Sequence, residues 1–374
     1  MVAYFTIAFL AVFLALIPSN KKLGLNCAFL VITIFLAIRY KWGNDYVAYL
    51  EMYQDFNRAG FDLFDIEKNA QLRGGKEYGW VILNRIFGTL HLGFFGMIIA
   101  LTILENWIIR RMILKFVEPK YYWVAIAFYV FSTWFPTDAS MMRQYLCVCL
   151  YMLVVELMVE KKVRGYLLWA IGIIALATSI HLSTIIMFAS IPLFYIHFKE
   201  KPILYIYLAG IGIVLYLWNT YAFHLIDMGI LKFMVMDENI RGYADYMYEN
   251  TSDLGTGFGV IFNYVKFVIF LWLITKIQDK ARQTIVILMV VSYFFGAIGL
   301  IMPAAARLSL FFTIWQMTIW AWIFKFSKQH TWLYVIIIAQ IAIMTKEITD
   351  FFYDPVWHYH FIEYHTILEA PNWM

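Results

Sequence analysis

Three arginines, two acids and one histidine stand where long apolar stretches of this sequence stop: Arg39, Arg143, Arg307, Asp45, Glu77 and His181. Arginine presents a planar fork that binds phosphate oxygens bidentately and never loses its charge. Several arginines converging at one boundary would therefore suit a diphosphate. The competing use is to reach lipid phosphates or to pair with nearby acids. A carboxylate in such a place acts as general base if its surroundings tune it, or it orients an arginine. His181, flanked by Ser179, Ser183 and Thr184, is the natural proton acceptor near neutral pH, or a hydrogen-bonded structural residue. The richest stretch is Arg39-Tyr40-Lys41-Trp42-Gly43-Asn44-Asp45-Tyr46-Val47-Ala48-Tyr49, where an almost uncharged run gives way to cations, a glycine turn, a carboxylate and aromatics. It reads as the edge of a polar site.

The elements that must position these residues are apolar. The chain has 374 residues, 63% hydrophobic, 20% aromatic and 14% charged, with a mean hydropathy of +0.71. That composition excludes an ordinary soluble domain. Runs of about 20 apolar residues recur from Val2 to Thr345 and predict an all-α polytopic membrane protein of roughly twelve transmembrane helices. No soluble domain separates them, so residues 1–374 read as a single membrane domain with outer loops 39–91 and 219–258 and an outer tail 346–374. The run from Val2 to Ile17 lacks a basic leader and is expected to stay as the first span. Lys and Arg cluster in alternate short connections, among them Lys21, Lys22, Arg110, Arg111, Lys161, Lys162, Lys276 and Lys280. These mark the cytoplasmic side and leave the two long loops outside. Loops of that length are usually functional. The run from Tyr166 to His197 splits best at His181. Residues 76–90 are too short and polar for a span, and suit a helix dipping in from the outer face.

Cys27, Cys147 and Cys149 all lie in apolar runs and form no disulfide framework. His358, His360 and His365 lack a completing acid or cysteine at ligand spacing, so neither a metal nor another cofactor is expected. The net charge of +4 is distributed over loops and calls for no nucleic-acid partner. Aromatics of the second loop (Tyr243, Tyr246, Tyr248) and of the tail form sugar-stacking platforms or an interfacial belt.

Taken in order, several of these motifs resemble the EpsG family, the Wzy-like polymerases of bacterial exopolysaccharide and O-antigen loci. The carrying residues are Arg39-Tyr40 with Gly43-Asn44-Asp45-Tyr46 and Tyr49, then Glu77-Tyr78-Gly79 with Asn84, Met142-Arg143-Gln144, His181-Leu182-Ser183 and Arg307. Asn44 and Leu182 depart from the family's usual threonine and proline. The resemblance implies an enzyme at the outer face of the bacterial inner membrane, akin to O-antigen ligases and other lipid-dependent, GT-C-like membrane glycosyltransferases. It would move a glycan from undecaprenyl diphosphate onto another lipid-linked repeat unit, by a metal-independent, inverting single displacement, with a chain-length regulator as a further partner. In that scheme His181 is the first choice of base and Asp45 the second. Arg143, Arg39 and Arg307 hold the diphosphate, while Glu77, Tyr49, Gln144 and Arg241 contact substrate. Two other readings compete. A membrane O-acyltransferase explains His181 but not the outer arginines, and a lipid-linked glycan transporter predicts two related halves that the sequence does not show.

Overall fold

Asn20 starts one of the helices: its side-chain oxygen accepts the Leu23 N–H at 3.1 Å, closing the first turn of a proline-free apolar run. The computed structural model describes residues 1–17, 19–58, 61, 77–195, 258–299, 303–354 and 358–370, which are overwhelmingly helical. In chain order these are α1 (Val2–Leu16), α2 (Lys21–Ala37), β1 (Arg39–Tyr40), α3 (Tyr46–Asn57), α4 (Tyr78–Thr89), α5 (Gly93–Phe116), α6 (Tyr122–Val130), α7 (Trp134–Ser140), α8 (Met142–Glu160) and α9 (Tyr166–Ile180). A 3-10 helix, Leu182–Tyr195, follows. Then come α10 (Phe258–Lys276), α11 (Lys280–Gly299), α12 (Pro303–Thr313), α13 (Gln316–Phe326), α14 (Leu333–Tyr353), α15 (His358–Phe361) and β2 (His365–Thr366).

The chain divides into two compact units, Met1–Phe188 with Gln316–Met374, and Ala189–Trp315. In the first, α2 packs on α1 and α5, α8 on α5 and α9, α4 on α3, α5 and α9, and α6 on α1 and α13. Its core is aromatic, with Trp42, Trp80, Trp320, Tyr129, Tyr145 and Phe56 fully buried. In the second, α11 packs on α10 and α12.

Among the described helices α8 alone is long and apolar enough to cross a membrane, while α4 and α5 pass the same test together, bent by 120° at a short break. The short helix α4, Tyr78–Thr89, falls within residues 76–90, where a helix is expected. The apolar run 121–135, expected from its hydropathy as one span, is helical only to Val130 before a break, and Pro136, which has no N–H to give, falls in the separate short α7. The apolar run 203–218, expected as one of the roughly twelve spans, and most of the second long loop lie outside the described residues.

The tail takes a position its sequence did not announce. β2 pairs antiparallel with β1, Arg39 opposite Thr366 and Tyr40 opposite His365. Tyr364 stacks on Phe35 with ring centres 4.3 Å apart, and the Trp42 indole donates to the Phe361 carbonyl at 3.3 Å. The tail therefore covers the stretch where the first polar segment begins.

Candidate functional site

Two glycines allow the site to assemble. Gly43 has φ +127°, and a Cβ there would lie 2.4 Å from the Ala139 carbonyl oxygen, so only glycine lets the 39–45 turn settle against α7. The Asn44 N–H then donates to Ser140 Oγ at 2.9 Å, just before Arg143 enters α8. Gly79 does the same for α4. A Cβ on it would stand 2.2 Å from Ser179 Oγ and 2.9 Å from the Ser179 carbonyl carbon, at the end of α9. Because α4 and α9 touch so closely, Glu77 at the start of α4 reaches His181 at the end of α9.

Glu77 is the hub. Its Oε1 lies 2.8 Å from His181 Nδ1 and accepts the Leu182 N–H at 2.9 Å, while its Oε2 accepts from Arg143 Nη1. A carboxylate can only accept, so Nδ1 carries the hydrogen and Nε2 presents the ring's lone pair. Burial opposes ionisation of Glu77. The His181 hydrogen bond, the Arg143 charge and the Leu182 N–H together outweigh it, and hold the carboxyl below the ordinary 4.5. The three side chains are partly open to solvent, at 18% for Arg143, 14% for Glu77 and 19% for His181.

Arg143 is gripped from a second side. Its guanidinium lies 5.6 Å from the centre of the buried Tyr49 ring, which in turn stands edge-on to Trp80. Burial pushes the Tyr49 hydroxyl up, with Arg143 pulling the other way, and the Asp45 charge acts on both residues. Arg143 Nε and Ser183 Oγ are buried with no hydrogen-bond partner among the described residues. Such groups are costly to leave unpaired, and a substrate oxygen would satisfy them. Gln144 follows Arg143 and is buried in α8.

Arg39 goes elsewhere. It is 2% exposed, donates through Nη1 to the Leu36 carbonyl and to Thr102 Oγ1, and has Nη2 3.9 Å from Asp138 Oδ1. Asp138 is 1% exposed, and the buried Glu105 of α5 lies against it. Burial pushes the Asp138 carboxyl up to about 6, against the opposing charge of Arg39. The expected diphosphate contact by Arg39 is therefore not what the geometry offers. The tail and α5 enclose it, because a helix-end arginine can turn inward to acids that the sequence places on other helices. Glu105 was the missed signal, an acid inside an otherwise apolar run.

Arg307 lies on α12 in the second unit, and Arg241 lies outside the described residues. Of the expected site residues the structure thus brings together Glu77, His181, Arg143 and Tyr49, with Asp45 in their electrostatic field.

A family model described as EpsG family matches residues 22–365. No curated protein and no solved structure matches the chain.

Proposed function

Because the chain belongs to the EpsG family, whose polymerase-type role places it in polysaccharide biosynthesis, we propose that it is a multi-pass membrane glycosyltransferase of Wzy type. It extends a glycan by transferring an undecaprenyl-diphosphate-linked chain to a lipid-linked repeat unit at the outer face of the inner membrane. The observation that supports this is the Glu77 carboxylate shared between His181 and Arg143.

The reaction has two demands. The acceptor hydroxyl must lose its proton as it attacks the anomeric carbon, and the diphosphate must leave with the electrons of the broken carbon–oxygen bond. His181 Nε2 takes the proton, since Nδ1 is committed to Glu77. Arg143 faces the leaving diphosphate, and its unpaired Nε adds a donor. Glu77 couples the two. In the resting site its negative charge is divided between Arg143 and the His181 imidazole. Once His181 is protonated it becomes a second cationic partner of Glu77, the hold of Glu77 on Arg143 weakens, and Arg143 is freed toward the growing charge on the diphosphate. Stabilisation is thereby greatest when charge develops, which is what accelerates the chemical step. Asp45 and Tyr49 position Arg143. Arg307 and Arg241 stay candidates for the rest of the diphosphate, whereas Arg39 shapes the turn that carries Asp45.

The test uses purified protein in nanodiscs with the native lipid-linked repeat unit and EDTA, products being separated by gel. A ladder for wild type that vanishes in His181→Ala and Arg143→Ala is expected. Protein that is folded and binds the substrate, yet makes no ladder and moves the repeat unit across the bilayer, would overturn the enzyme reading.

A further inference from the structure

A second site with its own chemistry runs along α2 and α5, its charged end lying at the far end of the two helices from Arg39. Between these helices runs a groove of about 500 Å³ whose walls are apolar, chiefly Phe29, Leu30 and Ile34 of α2 with Ile99 and Ile103 of α5. From Asn26 to Ile38 it extends about 18 Å at 1.5 Å per residue. Leu30, Ile34, Ile103 and Trp107 are exposed along its rim, so it opens sideways rather than into the protein.

One end is charged. Arg110 closes the groove beside Asn26, donating to its side-chain oxygen from Nε at 2.8 Å and from Nη2 at 2.6 Å. Asn26 is neutral and fixes the guanidinium without cancelling its charge, and no carboxylate pairs with Arg110 among the described residues. The next residue is the contrast: Arg111 is bound bidentately by Glu156, which Lys115 also contacts. Lys21 and Lys22 open α2 little more than a turn before Asn26 and add positive charge at the same end. One turn above Arg110, Asn106 lines the groove, and its buried Oδ1 has no donor among the described residues.

We propose that this groove binds an anionic phospholipid of the cytoplasmic leaflet, its phosphate on Arg110, a headgroup or glycerol hydroxyl on Asn106 Oδ1, and one acyl chain along the apolar walls. This rests on the membrane reading given above. The match is of charge and of order: a cation at the basic, cytoplasmic end, a lone acceptor next, and then an apolar channel reaching part of the way through a hydrocarbon core of about 30 Å. A peptide or a soluble anion fits one end of that order but not both. The site is distinct from the one built on Glu77, and its ligand is structural or regulatory rather than a reactant.

The test follows lipid retention by native mass spectrometry, with the whole chain reconstituted in phosphatidylcholine with or without phosphatidylglycerol. Wild type should keep phosphatidylglycerol in preference to phosphatidylcholine. Arg110→Gln should weaken that retention about fivefold, the weight of one cation near an anionic surface. Ile103→Trp, which fills the channel without touching charge, should release both lipids, and Lys162→Gln should change nothing. Equal retention of the two lipids, equal losses in Arg110→Gln and Lys162→Gln, or a second copy of the chain seated on this face would overturn the proposal. A carbonate wash of the source membranes comes first: a chain released by it defeats the membrane reading itself, whereas a retained chain without lipid preference defeats only this site.

Discussion

Of the arginine–carboxylate groups in the first unit, the one around Arg39 and the one around Glu77 are built to opposite specifications. Around Arg39 everything is sealed: the guanidinium and Asp138 are 2% and 1% exposed, 3.9 Å apart, with Glu105 alongside. Around Glu77 one carboxylate serves two bases of different strength, and all three side chains keep an opening to solvent. A sealed group can only hold the fold, because no ligand reaches it. An open group whose charge is divided can change partners, and that is what proton transfer and phosphate release require. The difference teaches that arginine at the end of an apolar run has no fixed meaning; its exposure and the number of its acidic partners give it one.

The largest expected effects separate the two groups by kind. His181→Ala should lower the polymerisation rate by about 10²–10⁴ while lowering stability, read from the unfolding midpoint in detergent, only by the lost hydrogen bond to Glu77, about 1 kcal/mol. Arg39→Ala should do the reverse, removing about 3–5 kcal/mol of stability by stranding buried Asp138, with residual folded protein still active. If Arg39→Ala lost activity with no change in stability, the sealed group would have to be counted as part of the reaction site.

Gly79→Ala is the next probe, because it attacks the approach of α4 to α9 and no charged residue. A Cβ 2.9 Å from the Ser179 carbonyl carbon forces the two helices apart. A loss of about 1–3 kcal/mol is expected, with a larger fall in rate than in stability. Rate and stability falling in step would mean that Glu77 does not depend on that approach.

The smallest effect is a pH dependence. The folded pKa of Glu77 lies below its ordinary 4.5, so its stabilisation is complete above about pH 4.5 and is lost as pH falls through the lower folded value. Glu77→Gln should flatten that acid limb of an unfolding-midpoint profile. An unchanged limb would mean that other carboxylates carry it.

Much of this was legible from residue types. The break at His181, the polar turn after Ile38, the short separate helix at α4 and the pairing role for Glu77 all follow from where apolar runs stop. The meeting of Glu77 with both Arg143 and His181 was not, since these residues lie 66 and 104 positions from it and only the close passage at Gly79 joins them. The inward turn of Arg39 was equally hidden. It depends on Glu105 and Asp138 from two other helices and on the tail strand His365–Thr366, whose short polar sequence carries no pattern of its own.

The central claim is that Glu77 acts on the reaction through His181 and Arg143 and not as an independent contact. The measurement that tests it most directly is a double-mutant cycle in the ladder assay, comparing initial rates of wild type, Glu77→Gln, His181→Ala and the pair. The account predicts that Glu77→Gln slows wild type strongly but costs His181→Ala little more, leaving a coupling of at least about 1 kcal/mol. Losses that simply add would show two separate contributions and contradict it.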